Sequence, residues 1–213
     1  AEDLFALKEL GNIYTRLMNP TTDILEQRVA ALDGGAAALA LSSGTSAAFY
    51  SIINLAKEGD EIVSANNLYG GTYTQFNDIL PSMGITVKMV DPLDPENFAN
   101  AITEKTKAIY CEVVGNPLLD LVDLQAIGNI AHANGIPLIV DATFSTPALC
   151  RPLEHGADIV VHSLTKWLGG HGTIIGGIVV DSGKFDWTTG KHPLLSDPEP
   201  SYWNTSFAND LGD

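Results

Sequence analysis

Short, uninterrupted apolar runs alternate along this chain with segments that have helical spacing. The run Leu138-Ile139-Val140 contains no polar residue, and residues 159–162 are also mostly apolar. Such runs are typical of strands that are buried on both faces of a sheet. Between the runs, residues 72–80, 95–102 and 124–133 are interpreted as helices. The alternation predicts an α/β layer fold, in which helices cover both faces of a mostly parallel sheet.

Capping residues and glycines place several further elements. Thr21 or Thr22 can cap a first helix, and Gly34 can close it. Residues 176–180 form a strand directly after a glycine cluster. This strand is too close to its predecessor for a helical crossover, so we expect it to run antiparallel to its neighbour. From Phe185 onward we predict loop. The remaining predictions are strands at 36–41, 61–65, 85–90, 108–113 and 137–141, and a helix at 47–55.

Charge and cysteine content narrow the function classes. Eleven Lys and Arg against 26 Asp and Glu leave a net charge of −15, which disfavours nucleic acid and anionic membrane surfaces as partners. Cys111 and Cys150 stand alone, with neither a disulfide framework nor metal-ligand spacing. No apolar run approaches the ~18 residues of a membrane span. We therefore expect a cytoplasmic protein without a bound metal.

Both ends of the chain look unfinished. Residue 1 is Ala, and residues 4–14 carry apolar side chains in irregular spacing. The last residues follow a stretch rich in Pro and Trp that has neither a helical nor a strand period. We therefore expect these 213 residues to be a piece of a larger protein.

Small hydroxyl residues and a glycine turn follow two of the predicted strands. In open α/β sheets, ligands bind outside the carboxyl ends of the strands. The turn at Gly44 and Thr45 begins a helix, so its free N–H groups could hold an anion. An ordinary tight turn would look the same. Ser163 and Thr165, two apart in an extended segment, can aim both hydroxyls toward one point. The sequence thus favours a phosphate site at this edge.

A lysine and a carboxylate lie at the same predicted edge. Lys166 follows an apolar strand and precedes Trp167, surroundings that favour a neutral, nucleophilic amine. Asp141 ends an apolar strand, so its carboxyl must be protonated or paired with a cation. The cation could be a pyridinium nitrogen, although a helix cap or a structural ion pair would also suffice. An amine, an anion cradle and a buried carboxylate are what pyridoxal 5'-phosphate requires.

Motifs along almost the whole chain then point to one family. The stretch from His162 to His171 resembles the lysine signature of the Cys/Met-metabolism pyridoxal-phosphate enzymes, the cystathionine γ-synthase-like group of fold type I. Further blocks agree in order: Tyr14-Thr15-Arg16 with Asn19-Pro20-Thr21, Ser43-Gly44, Leu68-Tyr69-Gly70-Gly71-Thr72, Gly115-Asn116-Pro117, and Asp141 before Thr143-Phe144. The resemblance implies a cofactor-binding large domain over residues 36–213. It also implies an N-terminal arm and helix over residues 1–35 that contact a neighbouring subunit, and a C-terminal domain missing from this chain.

The resemblance implies a role for each matching residue. Lys166 is the Schiff-base lysine and proton shuttle, Asp141 pairs with the ring nitrogen, and Tyr69 stacks on the ring and assists proton transfer. The other implied cofactor contacts are Ser43, Gly44 and Thr45 at the helix start, Ser163 and Thr165 by hydroxyl, Asn116 at the phenolic oxygen, and Tyr14 and Arg16 from a neighbouring subunit. The expected assembly is therefore a homo-oligomer. It is at least a dimer, and a homotetramer is expected.

Three shorter blocks favour one branch of the group. Residues 170–173, 150–158 and 198–202 resemble O-acetylhomoserine sulfhydrylases. That branch implies a γ-replacement in methionine biosynthesis, in which O-acetylhomoserine and a sulfur donor such as sulfide give homocysteine and acetate. The alternatives are a cystathionine or methionine γ-lyase or a cystathionine γ-synthase with the same cofactor. A non-catalytic phosphate-binding α/β module is a further alternative, although neither G-x-G-x-x-G nor G-x-x-x-x-G-K occurs.

Three departures from the family pattern are visible. Thr45-Ser46 stands where Met or Gln followed by Ala is commoner. Ala142 stands where the family usually has Asn, which we expect to loosen the surroundings of Asp141. The family binds the substrate carboxylate with an Arg of its C-terminal domain. Of the three arginines here, neither Arg28 nor Arg151 is assigned that role.

Overall fold

The structure is a computed structural model that describes residues 2–5, 9 and 11–210. A single sheet forms the centre of this part of the chain. Its seven strands lie in the order β1-β7-β6-β5-β4-β2-β3. The strands are β1 (Ala37–Leu41), β2 (Glu61–Ala65), β3 (Thr86–Val90), β4 (Thr106–Glu112), β5 (Leu138–Asp141), β6 (Ile159–Ser163) and β7 (Gly177–Asp181).

The direction of β7 confirms the predicted antiparallel strand. β7 runs antiparallel to both of its neighbours, β6 and β1, while β2, β3, β4, β5 and β6 pair in parallel. The connection from Ser163 to Gly177 contains turns and bends but no helix. Parallel strands are usually joined by a crossover helix, so a connection without one favours the antiparallel return that is observed.

Helices flank the sheet. α2 packs against β1 and β7, α3 against β6 and β7, and α7 against β5. The α-helices are α1 (Glu2–Phe5), α2 (Pro20–Asp33), α3 (Gly44–Ile53), α4 (Gly70–Thr74), α5 (Leu80–Ser82), α6 (Glu96–Ala101), α7 (Leu124–Ala133), α8 (Thr146–Leu149), α9 (Pro193–Ser196) and α10 (Phe207–Asp210). Across the described ranges, no helix combines the length and apolar character needed to span a membrane.

The central strands are buried on both faces, as their apolar runs predicted. Ile109 and Tyr110 are neighbours on β4, and Leu138 and Ile139 are neighbours on β5; all four have no exposed surface. Successive side chains of a strand point to opposite faces. Both faces of the sheet centre are therefore covered.

The helices and turns that were not predicted from the sequence are short or begin with proline. The predicted helix at 72–80 is part of a helical segment over residues 70–82 that includes a π turn, Gln75–Ile79. The prediction of loop after Phe185 is wrong in detail, because α9, α10 and a 3-10 turn, Pro200–Tyr202, lie there. α8 and a 3-10 turn at Pro152–His155 were also missed. One turn of helix is too short to show a 3.6-residue period.

A buried contact ties the end of α2 to the end of β6. Asp33 and His162 both have no exposed surface, and His162 Nε2 lies 2.8 Å from Asp33 Oδ2. Burial strengthens such a contact because little water competes for it. The helix of the predicted N-terminal arm is thus anchored beside the strand that leads to Ser163 and Lys166. That this arm contacts a neighbouring subunit stays a prediction.

Candidate functional site

A cavity of about 600 Å³ opens where the parallel strands end. Its wall holds most of the residues that the sequence proposed, from five separate segments of the chain. They are Ser43, Gly44, Thr45, Tyr69, Asn116, Asp141, Ser163, Thr165 and Lys166. The parallel strands bring these segments together because their carboxyl ends meet at one edge of the sheet.

The start of α3 forms one side of the cavity. Ser43 caps the helix, and its hydroxyl accepts the N–H of Ser46 at 3.0 Å. The first N–H groups of a helix have no acceptor within the helix. Those of Gly44 and Thr45 make no hydrogen bond with the described residues. Two free donors and the positive end of the helix dipole therefore face the cavity, which suits an anion.

Gly44 lies so close to the end of β6 that a larger residue has no room. A Cβ atom at this position would lie 2.5 Å from Ser163 Cβ and 2.9 Å from Ser163 Oγ. Ser163 is held in turn, because its N–H donates to Thr143 Oγ1 at 2.8 Å. The glycine thus allows the free helix N–H groups and the Ser163 hydroxyl to line one small space.

We predict that Gly44→Ala lowers the free energy of unfolding by about 1–3 kcal/mol, the usual cost of overpacking. Gly70→Ala is the matched control, because Gly70 also begins a helix and nothing lies within 4 Å of a Cβ placed there. Urea unfolding of the two variants measures the difference. Equal stability of both variants would contradict the close approach to Ser163.

Thr165 differs from Ser163 in how its hydroxyl is used. The Thr165 hydroxyl donates to the carbonyl of Gly176 at 3.2 Å and accepts the Gly176 N–H at 3.1 Å. This pair of bonds joins the turn after β6 to the segment before β7. Thr165 still lines the cavity, and its predicted contact with a phosphate stays a prediction.

Asp141 ends β5 at the cavity wall. One carboxyl oxygen accepts the N–H of Thr143 at 2.8 Å, and the other lies 3.5 Å from the hydroxyl of Tyr110. Burial raises the pKa of Asp141 above its usual range, and the bonds from Thr143 oppose that rise. The following residue, Ala142, is fully buried and donates its N–H to the carbonyl of Val161. Asp141 is held by the Thr143 N–H, and the loosening expected from Ala142 stays a prediction.

Glu112 is a second acid at this edge that the sequence analysis missed. It is the register partner of Asp141 across β4 and β5, and it is only 5% exposed. Burial, followed by the negative charge of Asp141, raises the pKa of Glu112 to about 8, while the N–H of Tyr69 works in the opposite direction. The strand pattern could have shown it, because Glu112 ends an apolar run as Asp141 does.

Lys166 and Asp141 line the same cavity, and the bridging of the two by a cofactor ring stays a prediction. Lys166 lies in the turn after β6, where its N–H donates to the carbonyl of Ser163 at 3.2 Å. The enclosed, apolar surroundings expected for Lys166 are absent in the described residues, since its side chain is exposed. Trp167, which follows, is 64% exposed. The sequence could not predict this exposure, because a residue at the opening of a cavity can have the same apolar sequence neighbours as a residue in the core.

Tyr14 and Arg16 do not reach this cavity. Both are exposed, and the Arg16 guanidinium lies 5.3 Å from the centre of the Tyr14 ring. The sequence hypothesis assigned them to the site of a neighbouring subunit, and that assignment stays a prediction.

Residues 1–197 match the family model of Cys/Met metabolism PLP-dependent enzymes. The chain belongs to this family. Its similarity to an O-acetyl-L-homoserine sulfhydrylase of Leptospira meyeri is 55% identity over 97% of the chain and 47% of that relative. A homocysteine synthase of Schizosaccharomyces pombe is 53% identical over 98% of the chain and 49% of that relative. The chain thus spans about half the length of the curated relatives it matches.

A solved structure of a family member agrees with the fold. A Campylobacter jejuni protein superimposes with a TM-score of 0.94 at 38% identity, over 97% of this chain and 52% of that one. It contains N'-pyridoxyl-lysine-5'-monophosphate, a lysine joined to the cofactor. The fold type I architecture that the resemblance implied is confirmed.

The cavity of the present chain fits pyridoxal phosphate. The space that Gly44 leaves beside Ser163, with the free N–H groups of α3, suits a phosphate group. Asp141 supplies a partly buried acid for a ring nitrogen, and Lys166 supplies an exposed amine. These three features come from different segments and meet in one cavity, so the donor set matches the charges and reactive groups of the cofactor.

Proposed function

We propose that the whole protein carries out a γ-replacement, in which O-acetylhomoserine and sulfide give homocysteine and acetate. The observation that carries the proposal is one cavity that contains both Lys166 and Asp141 in a chain 55% identical to a sulfhydrylase. The amino-acid substrate and a sulfur donor are the proposed partners. The proposed role is in methionine biosynthesis.

Lys166 and Asp141 have complementary tasks in this reaction. Bound pyridoxal phosphate supplies a ring that withdraws electrons and stabilises negative charge on the substrate. Asp141, in the cavity wall, would keep a proton on the ring nitrogen, because a carboxylate beside a cation favours the charged pair. Lys166 holds the cofactor and then moves protons at its Nζ, because its exposed amine can reach into the cavity.

The remaining wall residues bind and orient. The N–H groups of Gly44 and Thr45 and the hydroxyls of Ser43, Ser163 and Thr165 are the proposed phosphate ligands, and all five residues line the cavity. Tyr69 would cover one face of the ring, and Asn116 would bind the phenolic oxygen. Asn116 is held for this task, because its N–H donates to the carbonyl of Asn67 at 2.9 Å.

We also propose that the site is completed by a second subunit. Tyr14 and Arg16 are exposed away from the cavity of their own chain, which suits a contact with a neighbour. An Arg guanidinium can bind a phosphate through two parallel hydrogen bonds. The proposed assembly is a homodimer at least, with a homotetramer as the fuller form. A cytoplasmic location is proposed because Cys111 and Cys150 are both free thiols.

Steady-state rates of the whole protein test the proposed reaction. We expect homocysteine from O-acetylhomoserine plus sulfide at a kcat/KM at least about tenfold above that for cystathionine or methionine, a difference of about 1.4 kcal/mol in barrier. Release of ketoacid and ammonia without added sulfide, at a rate above that of homocysteine formation, would instead support a γ-lyase. Absence of any visible absorbance from bound cofactor would support the non-catalytic module.

A further inference from the structure

Among the described residues, Glu112 is the one acid in the cavity wall to which the mechanism above gives no task. We propose that Glu112 is a positioning residue, whose carboxyl holds the backbone of Tyr69 and thereby fixes the Tyr69 ring at the cofactor face of the cavity. This inference rests on the proposed function for the role of the ring. The hydrogen bond between the Tyr69 N–H and Glu112, from which it is argued, does not depend on that function.

The contact joins two segments that are far apart in the chain. Glu112 ends β4, and its Oε1 accepts the N–H of Tyr69 at 2.7 Å. Tyr69 lies in the turn between β2 and α4, and its side chain does not cap that helix. A second bond, from the Asn116 N–H to the carbonyl of Asn67, ties the same turn to the segment after β4. The turn is therefore held from the β4 side at two points.

The ring of Tyr69 is restrained from its other side. A Cβ atom on Gly71 would lie 2.6 Å from Tyr69 Cε1, so the ring covers the backbone of that glycine. The ring is nevertheless 50% exposed, and few neighbours hold it. The backbone anchor at Glu112 consequently has a large influence on where the ring lies.

Burial of the Glu112 carboxyl costs more free energy than is needed to provide an acceptor for one N–H group. Within the described residues, no Lys or Arg forms an ion pair with Glu112, while Asp141 lies directly beside it. Burying a carboxyl next to a second acid costs free energy. An amide would accept the same hydrogen bond without a charge. The bond is thus the feature to test, and Glu112→Gln separates it from the charge.

Amide hydrogen exchange of Tyr69, measured in the whole protein with and without cofactor, tests the inference. We expect Glu112→Ala to speed exchange of the Tyr69 amide at least about tenfold, because the N–H loses its acceptor. The same variant should weaken pyridoxal phosphate binding about tenfold, as expected for one hydrogen bond of about 1.4 kcal/mol. Glu112→Gln keeps an acceptor, so it should restore both quantities to within about threefold of the parent.

Glu26→Ala is the matched control. The carboxyl of Glu26 accepts the N–H of Ala40 at 2.7 Å, a contact of the same kind that lies outside the cavity. It should speed exchange at Ala40 and leave cofactor affinity unchanged. The inference is overturned if Glu112→Ala changes neither the Tyr69 amide nor the cofactor affinity, or if Glu112→Gln fails to restore them. Failure of the sulfhydrylase assay alone would count against the proposed function and leave the exchange result standing.

Discussion

Lys166→Ala in the whole protein should abolish covalent attachment of pyridoxal phosphate and lower kcat/KM by about 10³-fold or more. The loss combines removal of the attachment point with removal of the group that moves protons, and proton transfer by a positioned side chain alone contributes about 10²–10⁴-fold. Folding should be unaffected, because the Lys166 side chain is exposed and takes part in no ion pair among the described residues.

Borohydride reduction followed by mass analysis measures the attachment. Lys57→Ala is the control, because Lys57 is also exposed and lies outside the cavity. It should keep the cofactor and the rate. Cofactor trapped on another lysine in the parent protein would refute the assignment of Lys166.

The second large effect is expected at Asp141. Asp141→Asn keeps the shape of the side chain and an acceptor for the Thr143 N–H, but it cannot carry a charge. We expect the cofactor to remain attached and turnover to fall by about 10²–10³-fold, the usual loss when one preorganised electrostatic group is removed. Stability should not fall, because the substitution also removes a buried acid whose charge burial opposes.

Asp123→Asn provides the comparison. Asp123 also accepts a backbone N–H, that of Ala126 at 3.0 Å, but it caps α7 outside the cavity. Turnover of this variant should stay within about twofold of the parent, since only a local cap is altered. If Asp141→Asn kept full turnover, the proposed pairing with the ring nitrogen would be wrong.

The fold followed from local patterns to a large extent. The apolar runs of β4 and β5 indicated strands with both faces buried, and Ile109, Tyr110, Leu138 and Ile139 are fully buried in the structure. The short connection before β7 indicated an antiparallel strand. One-turn helices such as α8 escaped prediction, because four residues cannot display a helical period.

The candidate site was predicted in part. The residues around Gly44, Asp141 and Lys166 stood out because each follows a strand and carries a distinctive group. Glu112 also ends an apolar strand, but its role was not visible, because that role depends on two contacts across the chain, one with the N–H of Tyr69 and one with Asp141. Long-range pairs of this kind leave no periodic signal in a single sequence.

The amino-acid order alone was enough to assign the layer architecture and to propose the edge for a ligand site, with a lysine and an acid as its reactive groups. These depend on burial period and on the rule that strand ends carry the ligand-binding residues. The tertiary structure was needed to show that Lys166 is exposed, that Gly44 contacts Ser163, and that Glu112 anchors Tyr69. Such facts depend on distances between segments far apart in the chain, which are settled only when the sheet assembles.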